Sequence, residues 1–547
     1  MKASETKLIR IIEGTNQYLV PHFQRPYTWT KKHWETMWTD IEALTQPDTE
    51  ASANPRDHFM GAIVTAPAHS VPEGVTKYLL IDGQQRITTL LLLLTAIRDQ
   101  ARQLGDEKLA SRIHEMFLTN RYQEGLDQYK LLPTQGDEPG HSDRTSFLAI
   151  IDRKDTGASG ALLGAVQYFT RYLREQTAEQ LSTLTTAVLS RVFLVSIVLE
   201  REDNPYSIFE SLNAKGQPLS QADLVRNFFF MSVDASRHDE IYRHKWIPIE
   251  QAVGRDNMEA YVRHFLIREG ALVKESDVYY TLKKRVEERG RAKAEDVLDD
   301  LLRVSKHYAC LLSPDREPVP DVRRRLVRIQ RLRATVCYPF LLNVFEDRAK
   351  GRIDNEGVVK ILDAIENFIV RRYVCGTIRA ELNELFTSLH RHSSQFSRLH
   401  DGVMEVLGSR SYPTDEEFIE SLQTRKLYGA GEGRDRARLI LERLEGSWTS
   451  KEEVNLEGLT IEHLMPQSLT TWWREHLAPT ADETHQLCLH TIGNLTLTGY
   501  NSELSNSEWP KKRELLRQSK LSINEDVAAQ STWGVEQIES RAQSLSL

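Results

Sequence analysis

The hydrophobic period changes several times along the chain, and these changes divide it. After Pro21-His22-Phe23-Gln24-Arg25-Pro26-Tyr27-Thr28-Trp29, apolar residues at Trp34, Met37, Trp38 and Ile41 fall at helical spacing. Tyr78-Leu79-Leu80-Ile81 is a short continuous apolar run and predicts a buried strand. It leads through Asp82-Gly83-Gln84-Gln85-Arg86 into an apolar helix from Ile87 through Ile97. Within it, Leu90 to Leu94 is core, because the run is far too short to span a bilayer. From about residue 236 to 430, helix-period apolar patterns recur with few Pro or Gly between them, which predicts a helical connector. Gly429, Gly431 and Gly433 then mark a hinge. Beyond it, Leu459, Ile461 and Leu464 form a β-prone run, and Ile492 to Leu497 alternates as a returning strand. Gly499 to Glu503 breaks that strand, and Ser507 is the expected N-cap of a helix carrying Leu515 and Leu516. The expected fold is α+β and mostly helical. Its parts are an α/β domain over residues 1–235, a helical middle over 236–430 and a C-terminal domain over 431–547.

The last segment carries candidate chemistry. Glu462-His463 is followed by Asn494 and then by Asn501, Asn506 and Lys511. A one-metal nuclease of the ββα-metal type needs that order of acid-His, Asn and Asn. Water attacking a phosphodiester requires a neutral imidazole as base, a divalent cation for the developing charge, and an amide to hold the imidazole. In an extended chain the side chains of residues 462 and 463 point to opposite faces, so one can bind metal while the other faces the water.

With Pro466-Gln467 and Gly493-Asn494-Leu495 around them, these residues resemble the HNH nuclease domain at the C-terminus of GmrSD-type modification-dependent restriction enzymes. The resemblance implies Glu462 as metal ligand, His463 as general base, Asn494 as the amide that orients the base, and Asn501 as second ligand to Mg²⁺ or Mn²⁺. The Asn494-to-Asn501 interval is short for such enzymes, which leaves Asn506 as the alternative to Asn501. Lys511 is expected at a DNA phosphate or as a cation at the helix start.

At the other end, a strand, a Gly-containing turn and a helix present backbone N–H groups to a phosphate, and Arg86 adds a bidentate fork. The Gly-x-x-x-x-Gly-Lys-Ser/Thr pattern is missing, so this is not a Walker loop. The Gln-Arg-Pro-Tyr-x-Trp and Asp-Gly-Gln-Gln-Arg motifs, with a third motif from Ile208 to Asn227, are similar to the ParB-like N-terminal domain of the same GmrSD-type proteins. That similarity implies binding and hydrolysis of a nucleoside triphosphate and a part in sensing modified DNA. By motif, the nucleotide site comprises Gln24, Arg25, Tyr27, Asp82, Gln84, Gln85, Arg86, Asn213 and Asp223. Asp82 would position metal or water, Arg25 and Arg86 would contact phosphates, and Tyr27 or Trp29 would stack on a base. Ser220-Gln221-Ala222-Asp223 also has the form of a helix cap.

In the middle, Val322 to Arg333 sets Leu326 and Ile329 on one side and several arginines on the other, with Arg324 and Arg328 as expected DNA contacts. A solvated helix face is the alternative. The net charge of −8 and pI of about 6.1 exclude a DNA-coating protein, so any DNA contact is a local patch. The four cysteines form no Cys-x-x-Cys pair, which argues against a zinc ribbon or a disulfide scaffold. No signal peptide or membrane span is read, so a cytoplasmic protein is expected.

The expected function is a modification-dependent type IV restriction endonuclease acting on phage DNA, regulated by nucleotide. Relatives of this type recognise glucosylated or otherwise modified cytosines, and related architectures sense phosphorothioate linkages. A homodimer would supply two active sites for a double-strand break. Two other readings stay open: a nucleotide-responsive DNA-binding switch without nuclease activity, and an infection-triggered RNA nuclease.

Overall fold

The computed structural model describes residues 2–21, 24–46, 57–68, 74–134, 143–154, 159–200, 220–233, 237–290, 293–377, 380–410, 412–448 and 455–547. Helices dominate, as expected. The chain packs as two compact units, Met1–Pro248 with Tyr279–Asp299, and Ile249–Val278 with Asp300–Leu547. The helical middle therefore does not stand as a body of its own. Most of it shares one unit with the C-terminal segment.

The first unit is built on a mixed six-stranded sheet. Its strands are β1 (Lys2–Lys7), β2 (Asn16–Leu19), β3 (His58–Pro67), β4 (Thr76–Asp82), β5 (Leu131–Leu132) and β6 (Val192–Val198), in the order β1-β6-β3-β4-β2-β5. The β3–β4 and β1–β6 pairs are antiparallel, whereas β2 lies parallel to both β4 and β5. The helix Gln84–Gln103 leaves the end of β4. It is buried on nearly every side, polar Gln84, Gln85, Thr88 and Thr89 included, with Leu90 to Leu94 at most 1% exposed. The turn into it demands glycine: Gly83 has φ +92°, and a Cβ there would lie 2.6 Å from Ile63 Cγ2. The helix Lys31–Ala43 buries Trp34, Met37, Trp38 and Ile41, the positions read from spacing.

In the second unit, the helix Pro320–Arg331 buries Val322, Leu326 and Ile329. Its arginines do not form the free basic face expected from sequence. Arg325 pairs with Asp363 at 2.8 Å, Arg328 with buried Glu366 at 3.4 Å, and Arg331 with Glu442. Arg443 reaches Glu366 from the other side at 3.2 Å. The acids come from the helices Asn355–Cys375 and Glu432–Glu445, too distant in sequence to be read beside the arginines. Arg328 is thus part of an interhelical ion-pair ladder, while Arg324 remains exposed beside Asp321. No helix among the described residues is long and apolar enough to cross a membrane.

The second unit ends in a two-stranded antiparallel sheet, β7 (Thr460–His463) and β8 (Leu495–Thr498), followed by the helix Trp509–Leu516. Glu462 lies opposite Thr496 and His463 opposite Leu495. Residues Ile492–Asn494, expected in the strand, instead form a 3-10 turn leading into it. The helix caps at Glu508, one residue later than the expected Ser507.

Candidate active site

His463 ends β7 and is 4% exposed. Its Nε2 lies 3.0 Å from His490 Nδ1, and its Nδ1 lies 3.3 Å from the Gln467 side-chain Nε2. Tyr428 meets the His463 ring edge-on at 4.6 Å and stacks on His490 at 5.5 Å. The segment carrying Tyr428 is fixed to that of His490, because the Leu427 N–H donates to the His490 carbonyl at 2.8 Å. Burial, with His490, Lys512 and His485 nearby, pushes the His463 pKa down to about 3. The imidazole is therefore neutral at physiological pH and carries a lone pair, as a general base must.

Glu462 points to the other side of β7, as alternation in a strand requires. Lys512 Nζ donates to its Oε1 at 2.5 Å and to the His463 carbonyl at 2.8 Å. The lysine has no exposed surface, and Glu462 is 5% exposed. Burial raises the Glu462 pKa against the opposing pull of Lys512, and burial lowers that of Lys512.

Asn494 is fully buried and makes a clamp. The Met465 N–H donates to its Oδ1 at 2.7 Å, while its Nδ2 donates to the Met465 and Leu489 carbonyls, each at 3.0 Å. Trp533 Nε1 also donates to Oδ1, at 3.3 Å. The structure brings Asn494 to the backbone two residues beyond the base and not to the imidazole itself. Gly493 admits the helix Val535–Ser546, since a Cβ there would collide with the Ile538 carbonyl oxygen. Arg541 on that helix donates to the carbonyls of Gly493 at 2.8 Å and Leu495 at 2.7 Å.

Asn501 is half-buried next to β7, where its Nδ2 donates to Thr460 Oγ1 at 3.0 Å and to the Ile461 carbonyl at 3.2 Å. Those bonds leave Oδ1 as the other end of the amide. Asn506 and Lys511 are exposed. The cation at the site is Lys512, one residue on. No group of three or more His, Cys, Asp or Glu that could hold a metal occurs among the described residues. Of the two ligands expected from sequence, the Glu462 carboxylate is held by Lys512, and the Asn501 amide is bonded through its Nδ2 to β7. Both are hard oxygen groups, the donor type that Mg²⁺ and Mn²⁺ prefer.

A match to the model of the GmrSD restriction endonuclease C-terminal domain spans residues 412–546, which contain all of this geometry. A second match, to the GmrSD restriction endonuclease N-terminal domain, spans residues 8–230. The chain belongs to the GmrSD restriction endonucleases. Its substrate class is accordingly DNA, and its reaction is endonucleolytic cleavage. No curated protein matches the chain.

Within the N-terminal GmrSD domain, the two motifs are bound to each other. Gln84 Nε2 donates to the Arg25 carbonyl at 2.8 Å, and Gln85 Nε2 donates to the Pro26 carbonyl at 3.1 Å. Gln85 Oε1 accepts the Thr28 N–H at 2.9 Å, and Gln24 Nε2 donates to the Ile81 carbonyl at 2.7 Å. Tyr27 is buried, its hydroxyl 2.7 Å from Thr89 Oγ1 and accepting from Trp34 Nε1 at 2.9 Å. Arg86 donates to the Ala62 carbonyl and lies 3.6 Å from Asp82. Arg25, Asp82 and Arg86 are partly exposed. Asp223 is the third residue after the Ser220 cap, donates its N–H to Ser220 Oγ at 3.1 Å, and pairs with Arg226 at 2.9 Å. Asn213 lies outside the described residues.

Three partners went unread in the sequence: His490, Lys512 and Arg541. His490 lies directly before the Thr-Ile-Gly-Asn run, and that adjacency was the one available signal.

Proposed function

We propose that this GmrSD chain restricts modified DNA, such as phage genomes carry, by metal-dependent phosphodiester hydrolysis at an HNH site in the cytoplasm, under nucleoside triphosphate control. The observation that carries the reading is His463: a buried, neutral imidazole at the end of β7, back to back with a carboxylate and beside a β8 turn.

His463 takes the proton of the attacking water. Glu462 and Asn501 would hold Mg²⁺ or Mn²⁺, which would stabilise charge on the scissile phosphate. Asn494 keeps the backbone after β7 at a fixed distance from the turn before β8, so the base and the acid keep their positions. Release of that loop would misplace both.

The N-terminal domain takes the nucleotide in this reading. Arg25 and Arg86 contact phosphates, and Asp82 places metal or water beside them. Gln24, Tyr27, Gln84 and Gln85 shape the site by holding the 24–28 segment to the start of the Gln84–Gln103 helix. The N-terminus of that helix, at Gln84, would present N–H groups to the phosphates. A site opened only when nucleotide shifts the population would protect host DNA. A homodimer would provide the second cut.

The test is digestion of matched phage DNAs, unmodified, glucosylated at hydroxymethylcytosine, or phosphorothioated. Wild type and His463→Ala are compared with Mg²⁺ or Mn²⁺, with and without nucleoside triphosphate. Cutting of one modified DNA by wild type alone is expected. Equal cutting of unmodified DNA overturns the modification dependence, and equal cutting by His463→Ala overturns the assignment of the base.

A further inference from the structure

The amide expected to orient His463 bonds the main chain instead, so another group must hold the ring. We propose that His490 is that positioning residue: it fixes His463 as the Nε2–H tautomer and leaves Nδ1 as the nitrogen that accepts the proton from water. The inference deepens the proposed nuclease reading and rests on it for its catalytic consequence, although the tautomer itself does not.

The donor and acceptor roles follow from the neighbours. The Gln467 Nε2 group only donates, so His463 Nδ1 at 3.3 Å must be its acceptor and carries no hydrogen. In a neutral ring the hydrogen is then on Nε2, which donates to His490 Nδ1 at 3.0 Å. His490 in turn carries its own hydrogen on Nε2. Three features hold His490 in place as acceptor: Tyr428 stacks on its ring, and its carbonyl accepts the N–H groups of Leu427 at 2.8 Å and Tyr428 at 3.4 Å. Gln467 is exposed while His463 is buried. The amide of Gln467 can therefore swing out and give its place at Nδ1 to a water, which would then be aligned with the lone pair.

The roles of buried Asn494 and half-buried His490 separate on this account. Asn494 fixes where the base stands, and His490 fixes which nitrogen faces the substrate.

The test uses the full chain labelled with ¹⁵N-histidine. Long-range ¹H–¹⁵N correlation spectra distinguish the two neutral tautomers, and comparison with His463→Gln assigns the resonance among the 17 histidines. Wild-type His463 is expected to carry its hydrogen on Nε2. In His490→Leu, which removes the acceptor, the signal should move toward the tautomeric average. In His490→Asn, whose Oδ1 replaces the Nδ1 acceptor, it should return. A wild-type His463 with hydrogen on Nδ1, or a His490→Leu spectrum unchanged at His463, overturns the proposal whether or not the variants cut DNA. Nicking of supercoiled plasmid with Mn²⁺ adds the catalytic readout. His490→Leu should lose about 10- to 100-fold in kcat with KM little changed, the scale seen when the partner that orients a functional imidazole is removed. His490→Asn should recover most of that loss, and equal losses in both variants overturn the role. Absence of nicking by wild type counts against the nuclease reading and leaves the tautomer result standing.

Discussion

Lys512 reaches from the helix Trp509–Leu516 to both members of the Glu462-His463 pair, giving one hydrogen bond to the carboxylate of the first and one to the carbonyl of the second. It thereby ties the helix of the ββα unit to its first strand at the point where the chemistry is expected.

Loss of that tie should be costly. Lys512→Met leaves a buried carboxylate without its counter-charge, and a loss of about 3–5 kcal/mol in stability is expected from breaking one side of a buried pair. Urea denaturation of the full chain measures it. Adding Glu462→Gln should restore part of the loss, since the uncompensated charge is then gone. A double variant no more stable than Lys512→Met would show that packing, not charge, is what Lys512 contributes.

Asn494→Ala should destabilise the C-terminal region by about 2–4 kcal/mol, because it strands the buried Met465 N–H and carbonyl and the part-buried Leu489 carbonyl. Asn494→Asp should be nearly as harmful, since an acceptor-only group faces the Met465 and Leu489 carbonyls. Hydrogen exchange at the Met465 amide reports the change locally.

Stability of the second unit should fall as the medium is acidified from about pH 6.5, the usual histidine value, toward pH 4. Burial holds His463 at about 3, and His264 and His307 at about 4. Between those values and 6.5 the unfolded chain binds more protons than the folded one, so lowering pH favours unfolding and raising it restores stability. Above 6.5 these groups contribute no further slope. Thermal melts across that range check the direction, and a flat profile would contradict it.

Arg328→Ala should reduce stability by about 1–3 kcal/mol, as expected when a hydrogen bond to a buried charge is removed. It should leave the salt dependence of DNA binding unchanged. A direct phosphate contact would instead reduce the salt slope by about 1. Fluorescence anisotropy over a salt series separates the two.

Gln85→Leu removes one donor and one acceptor that hold the 26–28 segment. The Thr28 amide should exchange faster, while the core of the Gln84–Gln103 helix stays protected. Hydrogen exchange with mass spectrometry shows both at once.

The residues legible in the sequence were those whose meaning is local. Glu462 and His463 are adjacent, and the strand period alone places them on opposite faces. The buried stripe Trp34, Met37, Trp38 and Ile41 follows from helical spacing in the same way. What escaped depended on distant partners or on a single step of register. His490 is 27 residues from His463, and Lys512 is 50 from Glu462. Lys511 and Lys512 differ by one helical step of about 100°, and that step decides which of them turns inward. The basic helix has the sequence of a free surface because Asp363 and Glu366, the acids that pair with Arg325 and Arg328, stand 38 residues away from them.

The glutamine clamp of the N-terminal domain grips main chain only. Consecutive glutamines at the start of a helix seize the carbonyls of consecutive residues Arg25 and Pro26, and none of these bonds uses the side chains of Arg25, Pro26 or Thr28. The segment is in effect a socket whose backbone is set by the start of the neighbouring helix. A substitution at Gln84 or Gln85 would therefore loosen the loop without touching any side chain of residues 25, 26 or 28.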